Sequence, residues 1–195
     1  MDKKRKDAME SVIFFTEKRD ETIKTRMCAN CSTQKDYIPK EDAASFTAST
    51  KAILITGVID AKQKRDVMTI DIPNAFIQTD IPTKGPRVIM KLRGAVVDML
   101  LQIAPGMYVE YVVNDSGKKV LYVQMLKVFY GMFIASILFY KKFRKDIQEI
   151  GFEINPYEIC VANKITNGKQ HTLVWHIDDV KSSHVDPKVN DEFYK

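Results

Sequence analysis

Asp178 and Asp179 are adjacent carboxylates that follow the run Trp175-His176-Ile177. Like charges side by side repel, and with no Lys or Arg immediately N-terminal to them something cationic usually compensates. A divalent metal suits the pair: Mg²⁺ takes oxygen ligands, uses one or two carboxylates and keeps positions for water and substrate phosphate. On the dipeptide alone, a solvated Asp-Asp turn is the more common explanation. Cys28 and Cys31 have C-x-x-C spacing, which suits two thiolates on a zinc ion or a redox pair. No second such pair follows and the nearest histidine is His171, so two incidental thiols in a polar loop is again the commoner case. Basic residues gather at Lys3 to Lys6 and at Lys141, Lys142, Arg144 and Lys145. Each group reads first as a solvated face and second as a phosphate-binding or nuclear-localisation patch.

The chain that must position these groups has 195 residues, with 30 Lys plus Arg against 25 Asp plus Glu, a net charge of +5. That balance permits a polyanionic partner without requiring one. With 45% apolar and 28% charged residues, the composition supports a packed core, is not dominated by disorder-forming residues and predicts a mostly globular chain. The longest uncharged apolar stretch, 128–140, contains Gly131 and Ser136 and falls short of the roughly 20 residues of a membrane span. The start lacks the apolar region of a secretory signal, and three cysteines cannot all pair. Both point to an intracellular protein, cytoplasmic or nuclear, with reduced thiols and no disulfide framework.

Residues 1–42 are polar and charge-mixed and read as an extended or irregular lead-in. Helix formers with Phe46, Ile53, Ile55, Val58 and Ile59 predict a helix over 43–62. Residues 67–72 form a β-branched run that Pro73 stops, so Asp71 lies near the tip of a strand. A short helix over 95–103 closes at Pro105-Gly106. Alternating runs at 108–113 and 119–124, separated by Asn114 to Lys118, predict a hairpin. Apolar residues at helical spacing predict a helix over 132–150, with Gly151 at its C-cap. A second hairpin over 158–177 turns at Thr166 to Lys169, and an extended pattern resumes over 180–183. The order is mixed α and β with antiparallel pairs, an α+β class.

Four segments occur together in a fixed order: TIDIPNAF at 69–76, VLYVQMLKVFYG at 120–131, GFEINPYEICVANK at 151–164 and LVWHIDDVKSSHV at 173–185. In this the chain resembles the reverse transcriptases of copia-type retrotransposons over roughly residues 22–195, leaving 1–21 as a polar lead-in. The resemblance implies a reverse-transcriptase palm, a ferredoxin-like antiparallel sheet with packed helices, plus part of the fingers. It further implies that Asp71, Asp178 and Asp179 form the carboxylate triad of a nucleotidyltransferase that holds Mg²⁺, or Mn²⁺, for two-metal phosphoryl transfer. Asp71 and Asp178 are 107 residues apart, so their convergence is a property of the implied fold and not of the spacing. By the same carry-over Ile72 lends a backbone amide beside the triphosphate. Phe76 occupies the sugar-facing position that favours deoxynucleotides, although a core Phe after a strand has the same sequence signature. Lys24 and Arg26 match the Lys-x-Arg that grips incoming phosphates.

The implied partners are an RNA or DNA template-primer, deoxynucleoside triphosphates and the remaining polyprotein domains, RNase H and integrase. The chain departs from the pattern at three places. His176 stands where the family usually has Tyr, and residues 132–136 are Met-Phe-Ile-Ala-Ser where the family is polar. The sequence stops at Lys195, soon after the Asp-Asp hairpin, where the family continues into a thumb and RNase H. The expectation is therefore a fingers and palm region without a thumb, with a second possibility kept open: a catalytically silent remnant that at most binds nucleic acid non-specifically.

Overall fold

The computed structural model describes residues 7–36, 38–83 and 87–195, so the basic run at 3–6 lies outside the described residues. It is mixed α and β, with two five-stranded sheets and six α-helices among the described residues. In chain order the first elements are β1 (Met9–Glu17), β2 (Ile23–Asn30), α1 (Lys40–Ala43), α2 (Thr50–Gln63) and β3 (Asp66–Asp71). Next come β4 (Ile89–Arg93), α3 (Ala95–Ile103), α4 (Pro105–Tyr108), β5 (Val113–Asp115) and β6 (Lys118–Gln124). The last are α5 (Ala135–Glu149), β7 (Glu153–Ile154), β8 (Val161–Thr166), β9 (Lys169–His176), β10 (Asp179–His184) and α6 (Pro187–Tyr194). None of the described helices is long and apolar enough to cross a membrane. The chain divides into two compact units, 1–43 with 76–135 and 44–75 with 136–195.

The first unit holds the sheet β2-β1-β4-β6-β5, in which only β1 and β4 run parallel. Its core is Met90, Leu92, Val97 and Leu121, with Met27, Tyr108, Val112 and Phe129 packed around them. Two sequence expectations change here. The polar lead-in forms a long hairpin, registered from Glu10 against Asn30 to Glu17 against Ile23, with Glu21 in its turn. Alternation was hidden because the hairpin's outer half is solvated on both faces: Phe14 and Phe15, adjacent in β1, are both exposed. The strand expected over 108–113 shrinks to Val113–Asp115, preceded by α4 and a turn of 3-10 helix at Val109–Tyr111. Tyr108 and Val112, four apart, both pack on the core while Val109 and Tyr111 are exposed, which is helical periodicity that an alternating reading misses. The hairpin turn itself is where the sequence puts it, at Ser116-Gly117, both with positive φ.

The second unit holds the sheet β3-β10-β9-β8-β7, antiparallel throughout. Helix α5 buries Ile137, Tyr140, Phe143 and Ile147 at spacings of three and four, and the Phe143 ring meets Trp175 of β9 edge-on at 5.5 Å. Trp175 is 1% exposed, and burial of such a ring contributes on the order of 3 kcal/mol. The helix ends as expected: Gly151 has φ 91°, its N–H bonds Gln148 O and the Phe152 N–H bonds Ile147 O, a Schellman closure. It begins at Ala135 rather than 132. Helix α2 begins at Thr50 rather than 43, because the Ser49 side chain accepts the Ala52 N–H and caps it there. The turn Asn167-Gly168 joins β8 to β9 where the sequence places it.

Candidate active site

Strand β3 ends on Asp71, one residue before Ile72-Pro73, and pairs antiparallel with β10, which begins on Asp179. The register sets Asp71 directly opposite Asp179 and Thr69 opposite Lys181. Directly opposed residues project from the same face with their Cβ atoms about 5 Å apart, where two carboxylates destabilise each other. Across the β9–β10 hairpin Asp179 pairs with His176, leaving Ile177-Asp178 as a two-residue turn. The Asp178 carbonyl accepts the Ile72 N–H at 3.3 Å, which ties the turn to the end of β3. All three aspartates thus meet at one end of the second sheet. The Ile72 amide that the resemblance assigns to a triphosphate is engaged by this carbonyl.

No ion pair or side-chain hydrogen bond joins Asp71, Asp178 or Asp179 to another described residue. Asp71 and Asp179 are exposed and Asp178 is half-buried. The opposed pair lines a cavity of about 440 Å³ together with Ile53, Val174, His176 and Lys181. Among the described residues no group of three or more His, Cys, Asp or Glu side chains is gathered to hold a metal. What the register provides is a two-carboxylate edge with Asp178 beside it, and Mg²⁺ is commonly held by one or two carboxylates with water and phosphate completing its shell. The donor set fits that ion.

The turn carries strain. Ile177 has φ 60° while Asp178 does not, the pattern of a type II′ turn whose first central position favours glycine. A β-branched residue there is costly, by about 1–2 kcal/mol. Ile177→Gly is expected to raise the stability of the second unit by about 1 kcal/mol after the entropy of the added glycine is allowed for. A urea midpoint no higher than that of the unsubstituted chain would show that the turn holds Ile without strain.

The remaining sequence-derived residues belong to the first unit. Lys24 and Arg26 lie on β2 opposite Thr16 and Phe14, exposed to solvent. Phe76 is half-buried, its ring edge-on to Tyr130 at 4.7 Å. Cys28 and Cys31 are half-buried free thiols, and no third ligand-type side chain gathers with them among the described residues. Cys160, in the second unit, is fully buried, and burial pushes its thiol up to about 12.

Sequence reasoning missed a charged group beside the aspartates. Lys181 shares the face of Asp179, two residues along, yet its Nζ bonds Asp60 Oδ2 at 2.6 Å and Thr56 Oγ1 at 2.9 Å. Asp60 is a lone acid on an otherwise apolar stretch of α2, and that isolation was the available signal. No protein-family model, curated protein or solved structure matches the chain.

Proposed function

We propose that the chain is the reverse-transcriptase region of a copia-type retrotransposon, adding deoxynucleotides to a primer 3′-hydroxyl on an RNA or DNA template. In this reading the second unit is the palm, and Lys24, Arg26 and Phe76, which lie in the first unit, carry the roles that the resemblance implies. The observation that carries it is the direct opposition of Asp71 and Asp179 beside the Asp178 turn, with no cation paired to them among the described residues. Asp71, Asp178 and Asp179 would hold Mg²⁺, which when bound supplies activation of the primer hydroxyl and charge stabilisation at the triphosphate. The sheet supplies position: β3 and the β9–β10 turn fix the carboxylates, and the Ile72–Asp178 bond keeps the two strand ends together. Ile53 and Val174 form part of the wall of the cavity that the pair lines. Lys24 and Arg26 bind phosphate, and the Phe76 ring excludes a 2′-hydroxyl.

A second reading, a silent remnant that only binds nucleic acid, is favoured by Asp178 not closing a three-carboxylate group. Primer extension separates the two. Active protein should lose about a hundredfold in incorporation on Asp178→Asn, since a metal contact is worth several kcal/mol in the transition state. Equal incorporation by both proteins would sink the site, and salt-sensitive binding with no incorporation by either would establish the remnant.

A further inference from the structure

A lysine placed on the same face as a metal-binding carboxylate pair is a competitor for the metal. Residues i and i+2 of a strand share a face, and diagonal cross-strand neighbours lie within reach of a long side chain. Lys181 is i+2 from Asp179 and diagonal to Asp71, and all three line the same cavity. Its ammonium nevertheless points to α2, held by Asp60 and Thr56. The Asp60 side chain is 6% exposed, and its second oxygen, Oδ1, has no hydrogen-bond partner and stands 3.9 Å from Arg65 Nη1.

We infer that Asp60 is a positioning residue that parks Lys181 away from Asp71 and Asp179, keeping that pair open for a divalent cation. This rests on the reading of those aspartates as metal ligands. Without the Asp60 charge, Lys181 and Arg65 face each other with no anion between them. Like-charge repulsion then drives the lysine to the next carboxylates on its face, which are Asp179 and Asp71. There it neutralises the pair and lowers its affinity for the ion.

Two measurements on the full chain test this. The first is the position of Lys181 in a crystal structure of Asp60→Asn without metal. Nζ within salt-bridge distance of Asp71 or Asp179 supports the parking role, and Nζ remaining on Thr56 overturns it. The second is Mn²⁺ binding followed by electron paramagnetic resonance. Asp60→Asn should bind about tenfold more weakly than the unsubstituted chain, in the range of other supporting-residue losses, and Asp60→Asn/Lys181→Met should recover. Unchanged binding in Asp60→Asn, or no recovery in the double variant, counts against the inference. Should Asp60→Asn not fold, Lys181→Met alone decides. A parked lysine predicts affinity within about twofold of the unsubstituted chain, and a tenfold tightening would show that Lys181 already occupies the pair. If the unsubstituted chain binds no Mn²⁺ while Lys181 moves as expected, the parking stands and the metal reading of the aspartates falls.

Discussion

Gly131→Ala is expected to cost the first unit about 4 kcal/mol, a large part of the stability of a domain of ordinary size. Gly131 has φ 84°, and a Cβ placed on it would lie 2.1 Å from the Ala29 carbonyl oxygen. That oxygen belongs to β2, and the same residue donates its N–H to Tyr130 O at 2.7 Å, so the Tyr130-Gly131 turn is clamped on the strand. The clash therefore involves backbone on both sides, and no side-chain rotation relieves it. Relief requires breaking the Ala29–Tyr130 bond or moving the end of β2, and overpacking of that kind adds about 1–3 kcal/mol to a similar cost for the positive φ. Gly117→Ala isolates the second term: Gly117 also has a positive φ, 77°, but nothing lies within 4 Å of its missing Cβ. Urea unfolding of the two variants should differ by about 2 kcal/mol. Equal losses would mean that the turn at Gly131 shifts freely and that the close approach to Ala29 holds nothing in place.

Gly131 also shows what kind of information the sequence carried. As part of the VFYG segment it contributed to a resemblance, and its physical necessity appears only when the turn is set against a strand a hundred residues earlier. Local signals were legible where the chain settles them alone. Asn167-Gly168 and Ser116-Gly117 turn where turn chemistry puts them, Gly151 closes α5, and Pro73 lies two residues beyond the end of the strand carrying Asp71. The β1–β2 hairpin was illegible because solvent on both faces removes the alternation on which strand reading depends. Tyr108 to Tyr111 has the composition of a strand, and the pull of the core on Tyr108 and Val112 makes it helical instead. Of the candidate site, adjacency made Asp178 and Asp179 visible, but their opposition to Asp71 is a register between distant strands. Lys181 was overlooked because its significance depends on α2, and nothing in the local sequence of β10 shows which face that helix covers.

Acid should weaken the second unit by about 3 kcal/mol through one imidazole, His171. This side chain is 3% exposed, with Phe152 at 5.0 Å, Phe193 at 5.6 Å and His184 at 5.7 Å around its ring. Its tautomer follows from the bonds around it. Asn190 donates from Nδ2 to Asp66 O and Oδ2, which turns its Oδ1 toward Ser182, and the single Ser182 hydroxyl proton is donated there at 2.8 Å. Ser182 Oγ can then only accept from His171 Nε2, at 2.7 Å, so the neutral ring carries its proton on Nε2. A second proton must enter at Nδ1, within the aromatic surround. Burial first, then the neighbouring His184, Lys164 and Arg65, lowers its pKa from 6.5 to about 4. The unfolded chain binds that proton near 6.5 and the folded one does not until about 4. Stability is thus complete above 6.5, declines as the pH falls between the two values, and levels off below the lower one. His171→Gln keeps a donor for Ser182 and removes the titration. The unfolding free energies of the two proteins, followed from pH 8 to 4, should converge by about 3 kcal/mol as the pH falls, whatever the variant costs at neutral pH. Parallel curves would show that the buried imidazole accepts its proton without loss and that acid sensitivity arises elsewhere.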